Sequence, residues 1–208
     1  MRAKSILIGA GLAAAAALSG CTTGSAFQAS PFDYSGITDA SYRIPPVPTY
    51  KVDRKYLRQI VPYSTAEQPG TIFVDTGAKF LYYVLGDGKA VRYGIGVGKA
   101  GFEWHGTAHV AMKREWPDWH APPQMIVRER RENGRIIPAH LEGGLKNPLG
   151  ARALYLFNKG GDTGYRLHGT PEWWTIGRAV SAGCIRLMNQ DIIDLYNRAE
   201  IGAKVIVT

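Results

Sequence analysis

The sequence predicts a mainly β, sandwich-like domain with one or two short helices and a long aromatic lid loop. Three observations carry this reading. Short runs rich in β-branched and aromatic residues recur between glycine-bearing turns, the pattern of strands joined by hairpins. Residues 107–113 alternate with a period of two: Ala108, Val110 and Met112 share one face, and Thr107, His109 and Lys113 take the other. Helical periodicity is confined to two stretches, near residues 124–131 and 190–199.

At the N-terminus, Arg2 and Lys4 precede an alanine-rich apolar run over residues 5–18. That run is too short to span a bilayer comfortably and has the length of a signal-peptide core. It ends in Leu18-Ser19-Gly20-Cys21, which resembles the lipobox of bacterial lipoproteins. The resemblance makes residues 1–20 a lipoprotein signal peptide and Cys21 the lipidated first residue of the mature chain. An ordinary signal cut near Ser25-Ala26 is the alternative. Acyl chains on Cys21 would anchor the protein without spanning the membrane. Thr22 stands where inner-membrane retention often uses aspartate. By the same resemblance, the expected location is the outer membrane, facing the periplasm.

Residues 22–50 are rich in Ser, Thr, Gly and Pro and end in Ile44-Pro45-Pro46-Val47-Pro48. A segment of that composition buries little apolar surface and reads as a tether. With an amphipathic lead-in over 53–63 it makes residues 21–68 a lipid-attached tether. Pro69-Gly70 is a turn signal that opens a domain over 69–208, long enough for one core.

Within that domain, residues 71–75, 79–85 and 90–97 read as strands separated by Thr76-Gly77 and Gly86-Asp87-Gly88. The alternating strand 107–113 follows, then 153–158 and 165–168, and 203–207 closes the chain. The helix near 124–131 is ended by Asn133-Gly134. The other, 190–199, takes Asn189 as its N-cap, with Asp191 in the first turn. Its apolar face is Ile192, Ile193, Leu195, Tyr196 and Ala199. Residues 102–148 break the strand rhythm with three tryptophans (104, 116, 119) and four histidines, and read as a lid or binding loop. A satellite core under a surface excursion is the alternative.

The formal charge of +8 falls to +6 once Arg2 and Lys4 leave with the signal. Lys and Arg are scattered apart from a cluster at Arg128, Arg130 and Arg131, with no basic stripe interleaved with stacking aromatics, so nucleic acid is not an expected partner. A mild positive field suits an anionic envelope polymer or membrane surface. Gly96-Val97-Gly98-Lys99-Ala100-Gly101 fits a dinucleotide pattern, but no helix opens at these glycines. They read as close-approach turns. His105 and His109 have zinc-like spacing in a turn-then-strand context, and with His120 and His140 they read as loop and surface residues; no metal site is assigned.

The chemistry concentrates between residues 168 and 187. If Cys21 is acylated, Cys184 has no partner in the chain for a disulfide, and an oxidising compartment is a poor place for a spare thiol. His168 ends a strand and precedes Gly169, which lets the backbone turn. Imidazole is the side chain suited to taking a thiol proton near neutrality. Ser181-Ala182-Gly183 gives a substrate room, and a bend at Gly183 can aim its N–H and that of Cys184 at one oxyanion. Arg186, two residues past the thiol, offers a cation for thiolate or substrate carboxylate. A packed, inert cysteine beside an incidental histidine is the alternative.

His168-Gly169-Thr170 followed by Ser181-Ala182-Gly183-Cys184-Ile185-Arg186-Leu187 resembles the L,D-transpeptidase catalytic domain of bacterial cell-wall enzymes. Asn147-Pro148-Leu149-Gly150-Ala151-Arg152-Ala153-Leu154, the segment 117–123 and Thr175-Ile176-Gly177 extend the likeness over about 69–208. One departure is Ala182, where many members carry a second histidine. The resemblance implies Cys184 as nucleophile, His168 as base and the Gly169 carbonyl as its orienting partner. It also implies Gly183 in the oxyanion hole, Ser181 and Arg186 at the substrate, and no cofactor. The implied donor is a peptidoglycan tetrapeptide stem that loses D-alanine; the acceptor is another stem's amine or an envelope protein, or water in a carboxypeptidase. Rivals are a lipoprotein that only binds the wall, and a papain-like peptidase, whose Cys-before-His order is reversed here.

Overall fold

The computed structural model of the chain describes residues 33–99, 104–181 and 183–208. Its first elements are a small hairpin, β1 (Ile37–Asp39) and β2 (Tyr42–Ile44), and strand β3 (Gln59–Pro62). Then come β4 (Ile72–Asp75), β5 (Phe80–Gly86), β6 (Lys89–Gly94), the two-residue β7 (Val97–Gly98) and β8 (Gly106–Glu115). The lid follows as β9 (Trp119–His120), α1 (Pro123–Asn133) and β10 (His140–Leu141). The chain ends with β11 (Arg152–Asn158), β12 (Gly161–Thr170), β13 (Ala179–Ser181), β14 (Ile185–Met188), α2 (Asn189–Arg198) and β15 (Lys204–Val207). The fold is mainly β with two α-helices, as expected.

Nine strands form one sheet in the order β14-β12-β11-β8-β15-β4-β5-β6-β3. Its pairs are antiparallel except β12–β14 and β15–β4. Just past β6, Gly96 exchanges main-chain bonds with Arg186 of the opposite edge strand (2.9 and 2.8 Å), and β7 pairs with β13. The chain leaving β6, next to one edge of the sheet, is thereby laid against β14 at the other, which gives the sandwich-like wrap. Gly96 can do this because a Cβ there would press on the Thr175 carbonyl, 2.9 Å away. So the glycines with a dinucleotide-like spacing make a close backbone approach; the described residues on either side are strand or coil, and 100–103 lie outside the description.

Period-two alternation fills the core. Ile72 and Val74, Val91 and Tyr93, Ala108 and Val110, Leu154 and Leu156, and Val205 and Val207 are buried. α2 contributes Ile192 and Leu195 to this cluster and packs on β11, β12 and β14. Asn189 is its first residue and not its N-cap: Met188 precedes it without a side-chain cap, and the Asn189 Oδ1 instead accepts the Ala151 N–H at 2.9 Å. α1 ends at Gly134 in the left-handed conformation (φ 62°), the expected stop.

Part of the presumed tether is something else. Tyr34, Ile44 and Val47 are buried, and β3 completes the edge of the large sheet. The Tyr34 hydroxyl donates to buried Asp191 of α2 (2.9 Å) and accepts the Arg58 N–H (2.5 Å), while Arg58 pairs with Asp194 at 3.4 Å. Asp39 of β1 accepts two bonds from buried Arg152 (2.7 and 2.9 Å) and one from Trp116 Nε1 (2.8 Å). Composition misled here because prolines set strand ends and turns without preventing a few anchors, spaced among them, from packing. Cys21 and the signal segment lie outside the described residues.

Candidate active site

The parallel pair β12–β14 sets the site. Leu167 lies opposite Ile185 and His168 opposite Arg186, which brings Cys184, one residue ahead of β14, alongside Arg166. The Arg166 main-chain N–H lies on the side of the Cys184 sulfur, where it favours the thiolate. Alternation along β12 puts Gly164, Arg166 and His168 on one face, and with Cys184 they line a cavity of about 440 Å³. Trp119, His120, Pro122 and Met125 of the lid and Leu149 of the next turn also line it.

His168 is buried at 4% exposure, and its Nδ1 sits 2.6 Å from the Gly169 carbonyl oxygen. A carbonyl only accepts, so Nδ1 carries the hydrogen and Nε2 keeps its lone pair. Burial pushes the imidazole down to about 4; the Gly169 carbonyl opposes the fall, and the Arg186 and Arg166 cations add to it. Burial pushes the Cys184 thiol above its ordinary range, while the Arg166 N–H and the same two cations pull it back. The site therefore holds a neutral thiol and a neutral imidazole at pH 7.

Gly169 is fixed by packing on its other side, where a Cβ would strike Asn189 Oδ1 and Ile192. Gly150, at φ 62°, crowds the same Asn189 oxygen and the Gly169 main chain. The turn over 147–150 thus presses on the histidine's own strand. Its Asn147 side chain is buried and donates to the carbonyls of Pro117 (3.0 Å), Leu141 (3.1 Å) and Glu142 (3.0 Å), which ties the lid to the sheet.

Two expected substrate residues are placed otherwise. Ser181 is a staple of the nucleophile loop: its hydroxyl donates to the Cys184 carbonyl at 2.6 Å and accepts the Gly183 N–H at 3.2 Å. The Gly183 amide, with φ 125°, is therefore already engaged. Arg186 turns away from the cavity lining to pair with Glu172 at 2.9 Å. Ala182 lies outside the described residues. Arg166 and Tyr155 were not singled out in the sequence, whereas the lid was expected as a binding loop. The signal available for Arg166 was its place two residues before His168 on the same strand face.

Among the lid histidines, His120 and His140 are register partners with ring centroids 4.7 Å apart, and His140 reaches Asp118 at 3.4 Å. His109 is exposed on β8.

Residues 69–207 match the family model described as YkuD, L,D-transpeptidase catalytic domain. The probable L,D-transpeptidase ErfK/SrfK of Escherichia coli is 37% identical over 139 residues, covering 64% of this chain and 42% of that protein. The match thus spans less than half of that relative's length. A Brucella melitensis crystal structure, described as a probable carnitine operon oxidoreductase, is 45% identical over 77% of this chain and 99% of its own, with a TM-score of 0.49. L,D-transpeptidase 3 of Mycobacterium tuberculosis, in complex with a faropenem-derived adduct, is similar in fold. Its TM-score is 0.52 at 17% identity, covering 66% of this chain and 59% of that one.

Proposed function

The chain belongs to the L,D-transpeptidase catalytic-domain family, and on that premise we propose that it is a cysteine acyltransferase acting on peptidoglycan stem peptides. The observation that carries this reading is a thiol and an imidazole lining one cavity, with the Gly169 carbonyl holding the imidazole in the tautomer that can take the thiol proton.

In the first half-reaction Cys184 Sγ attacks the carbonyl between diaminopimelate and the terminal D-alanine. Its proton passes to His168 Nε2. The tetrahedral oxyanion is held by the Cys184 amide and by the Gly183 amide, which leaves Ser181 Oγ to join it. As the intermediate collapses, the C–N bond breaks, His168 gives its proton to the departing amine, and D-alanine leaves a thioester on Cys184. In the second half-reaction an acceptor amine attacks that thioester. His168 takes the amine's proton and returns it to the sulfur.

A stem diaminopimelate as acceptor gives a cross-link, an envelope protein gives covalent attachment to the wall, and water gives an L,D-carboxypeptidase. The lipobox supports a lipid-anchored protein at the outer membrane, with the catalytic domain over 69–208 facing the periplasm. A wall-binding lipoprotein without chemistry remains the rival, and the engaged Gly183 amide is the feature it would explain.

Cys184→Ala should abolish D-alanine release from a tetrapeptide, and His168→Ala should lower it by roughly 10³-fold or more. Faropenem should add its mass to the wild-type protein at Cys184. Full D-alanine release by either variant, measured by chromatography of the products, would sink the assignment.

A further inference from the structure

Among the described residues that line the cavity of Cys184 and His168, Arg166 is the only guanidinium or ammonium. Its guanidinium carbon lies 4.3 Å from the Tyr155 ring centroid, and its Nη1 donates to the Tyr165 carbonyl at 2.9 Å. The same Nη1 and its neighbour Nη2 each bond one oxygen of Asp162, at 2.6 and 2.8 Å. Stacking and the carbonyl bond hold the plane of the group; the Asp162 carboxylate only fills its bidentate face.

The two partners differ in access. The Arg166 side chain is 17% exposed and the Asp162 side chain 43%. An ion pair reaching water on one side adds little net stability, so exchanging Asp162 for another carboxylate is nearly neutral in energy. A planar fork with a fixed orientation is the group that recognises carboxylates bidentately. Arg186, the cation expected for this task, is occupied by Glu172 outside the cavity lining.

We propose that Arg166 determines donor specificity by binding a free carboxylate close to the scissile carbonyl, and that Asp162 is the stand-in which holds the guanidinium until the substrate carboxylate displaces it. This rests on the reading of Cys184 as the acyl-transfer nucleophile. Because Arg166 and Cys184 line one cavity, at adjacent strands whose register pairs Leu167 with Ile185, the carboxylate it reads lies within about one residue of the attacked carbon. In a tetrapeptide donor the two carboxylates fewest bonds from the attacked carbon are that of the leaving D-alanine and that of the diaminopimelate side chain.

The test compares wild type, Arg166→Gln and Asp162→Asn on three donors: the free tetrapeptide, the same peptide with its C-terminal carboxyl amidated, and the same peptide with its diaminopimelate carboxyl amidated. Wild type should prefer the free acid by roughly 10²-fold in kcat/KM over one of the two amides, which identifies the carboxylate. Arg166→Gln should lose that preference, mainly through a raised KM on the free acid. Asp162→Asn, at an exposed position, should widen the preference several-fold by removing the competing carboxylate. Equal loss on all three donors in Arg166→Gln, or an unchanged preference in Asp162→Asn, overturns the proposal while leaving the acyl-transfer reading intact. No D-alanine release by wild type from any donor overturns the reading on which it rests.

Discussion

At the residue scale, His168 and Cys184 begin from their two neutral forms, and burial is the main reason for both. A thiol held protonated is a slow target for oxidants, because the thiolate is the reactive species. That lets Cys184 persist as a free thiol. It also fixes the expected pH dependence. On the proposed reading of His168 as the base, it is competent wherever it is neutral, which its depressed value of about 4 extends well into acid. The kcat/KM profile should therefore be flat through neutrality and break near pH 4; a break near 6.5, the ordinary imidazole value, would contradict the buried environment. Stability is a poorer probe of the same group. The unfolded chain binds the His168 proton between about 6.5 and 4, so that contribution is lost as pH falls through this window. Buried Asp191, pushed up to about 7, works the other way: the folded protein keeps its proton after the unfolded chain has released it, so its contribution is lost as pH rises through about 4 to 7. The two trends oppose one another, whereas the rate profile isolates the imidazole.

At the element scale, the site depends on how tightly β12 is pressed between its neighbours. The turn at Gly150, the Asn189 oxygen of α2 and Ile192 all converge on Gly169, whose carbonyl orients the histidine. Gly169→Ala has no room for its methyl group and should cost about 2–3 kcal/mol in unfolding free energy. The same variant should lose D-alanine release by more than that destabilisation explains, since the shift falls on the carbonyl that sets the tautomer. Denaturant unfolding and activity on the same preparation check both. Sequence patterning reached most of these strands because each has one face in the core. It missed the start of β12, where Gly161, Asp162 and Gly164 look like a turn. It also missed β14, whose Ile185 to Met188 run hid inside a stretch read for chemistry. Register shifts at Tyr155, against both β8 and β12, were equally invisible, and Tyr155 is the ring that supports Arg166.

At the scale of the whole molecule, the segment before the family domain behaves as a clasp. Residues 34–62 join α2 through Tyr34 and Arg58, the sheet through β3, and the lid through the hairpin. Tyr42 lies against Trp116 with centroids 4.2 Å apart and donates to the Gly143 carbonyl at 2.9 Å. Asp39 is the key contact, since it faces an Arg152 that is 5% exposed. Asp39→Ala leaves that guanidinium with Glu115 at 3.6 Å and Trp116 Nε1 without its acceptor. It should cost about 2–4 kcal/mol, read as a lowered thermal midpoint. Hydrogen exchange should also quicken in residues 116–148; an unchanged lid would show that the hairpin rides on the surface without restraining it.

The residues themselves determined the fold class, the order of most strands and both helices, and the pairing of one thiol with one imidazole. Alternation, helical periodicity and side-chain chemistry are local properties, written along the chain. Tertiary structure alone decided which cation enters the cavity, because Arg166 stands two residues from His168 and Arg186 two residues from Cys184, so spacing along the chain favours neither. Parallel register and an ion pair with Glu172 send one inward and the other aside. It alone decided that Ser181 holds the loop, that Asn189 braces Ala151 instead of capping its helix, and that a proline-rich lead-in packs as a clasp. Each of these depends on partners far along the chain, and pairing over such distances leaves no periodic trace in the sequence.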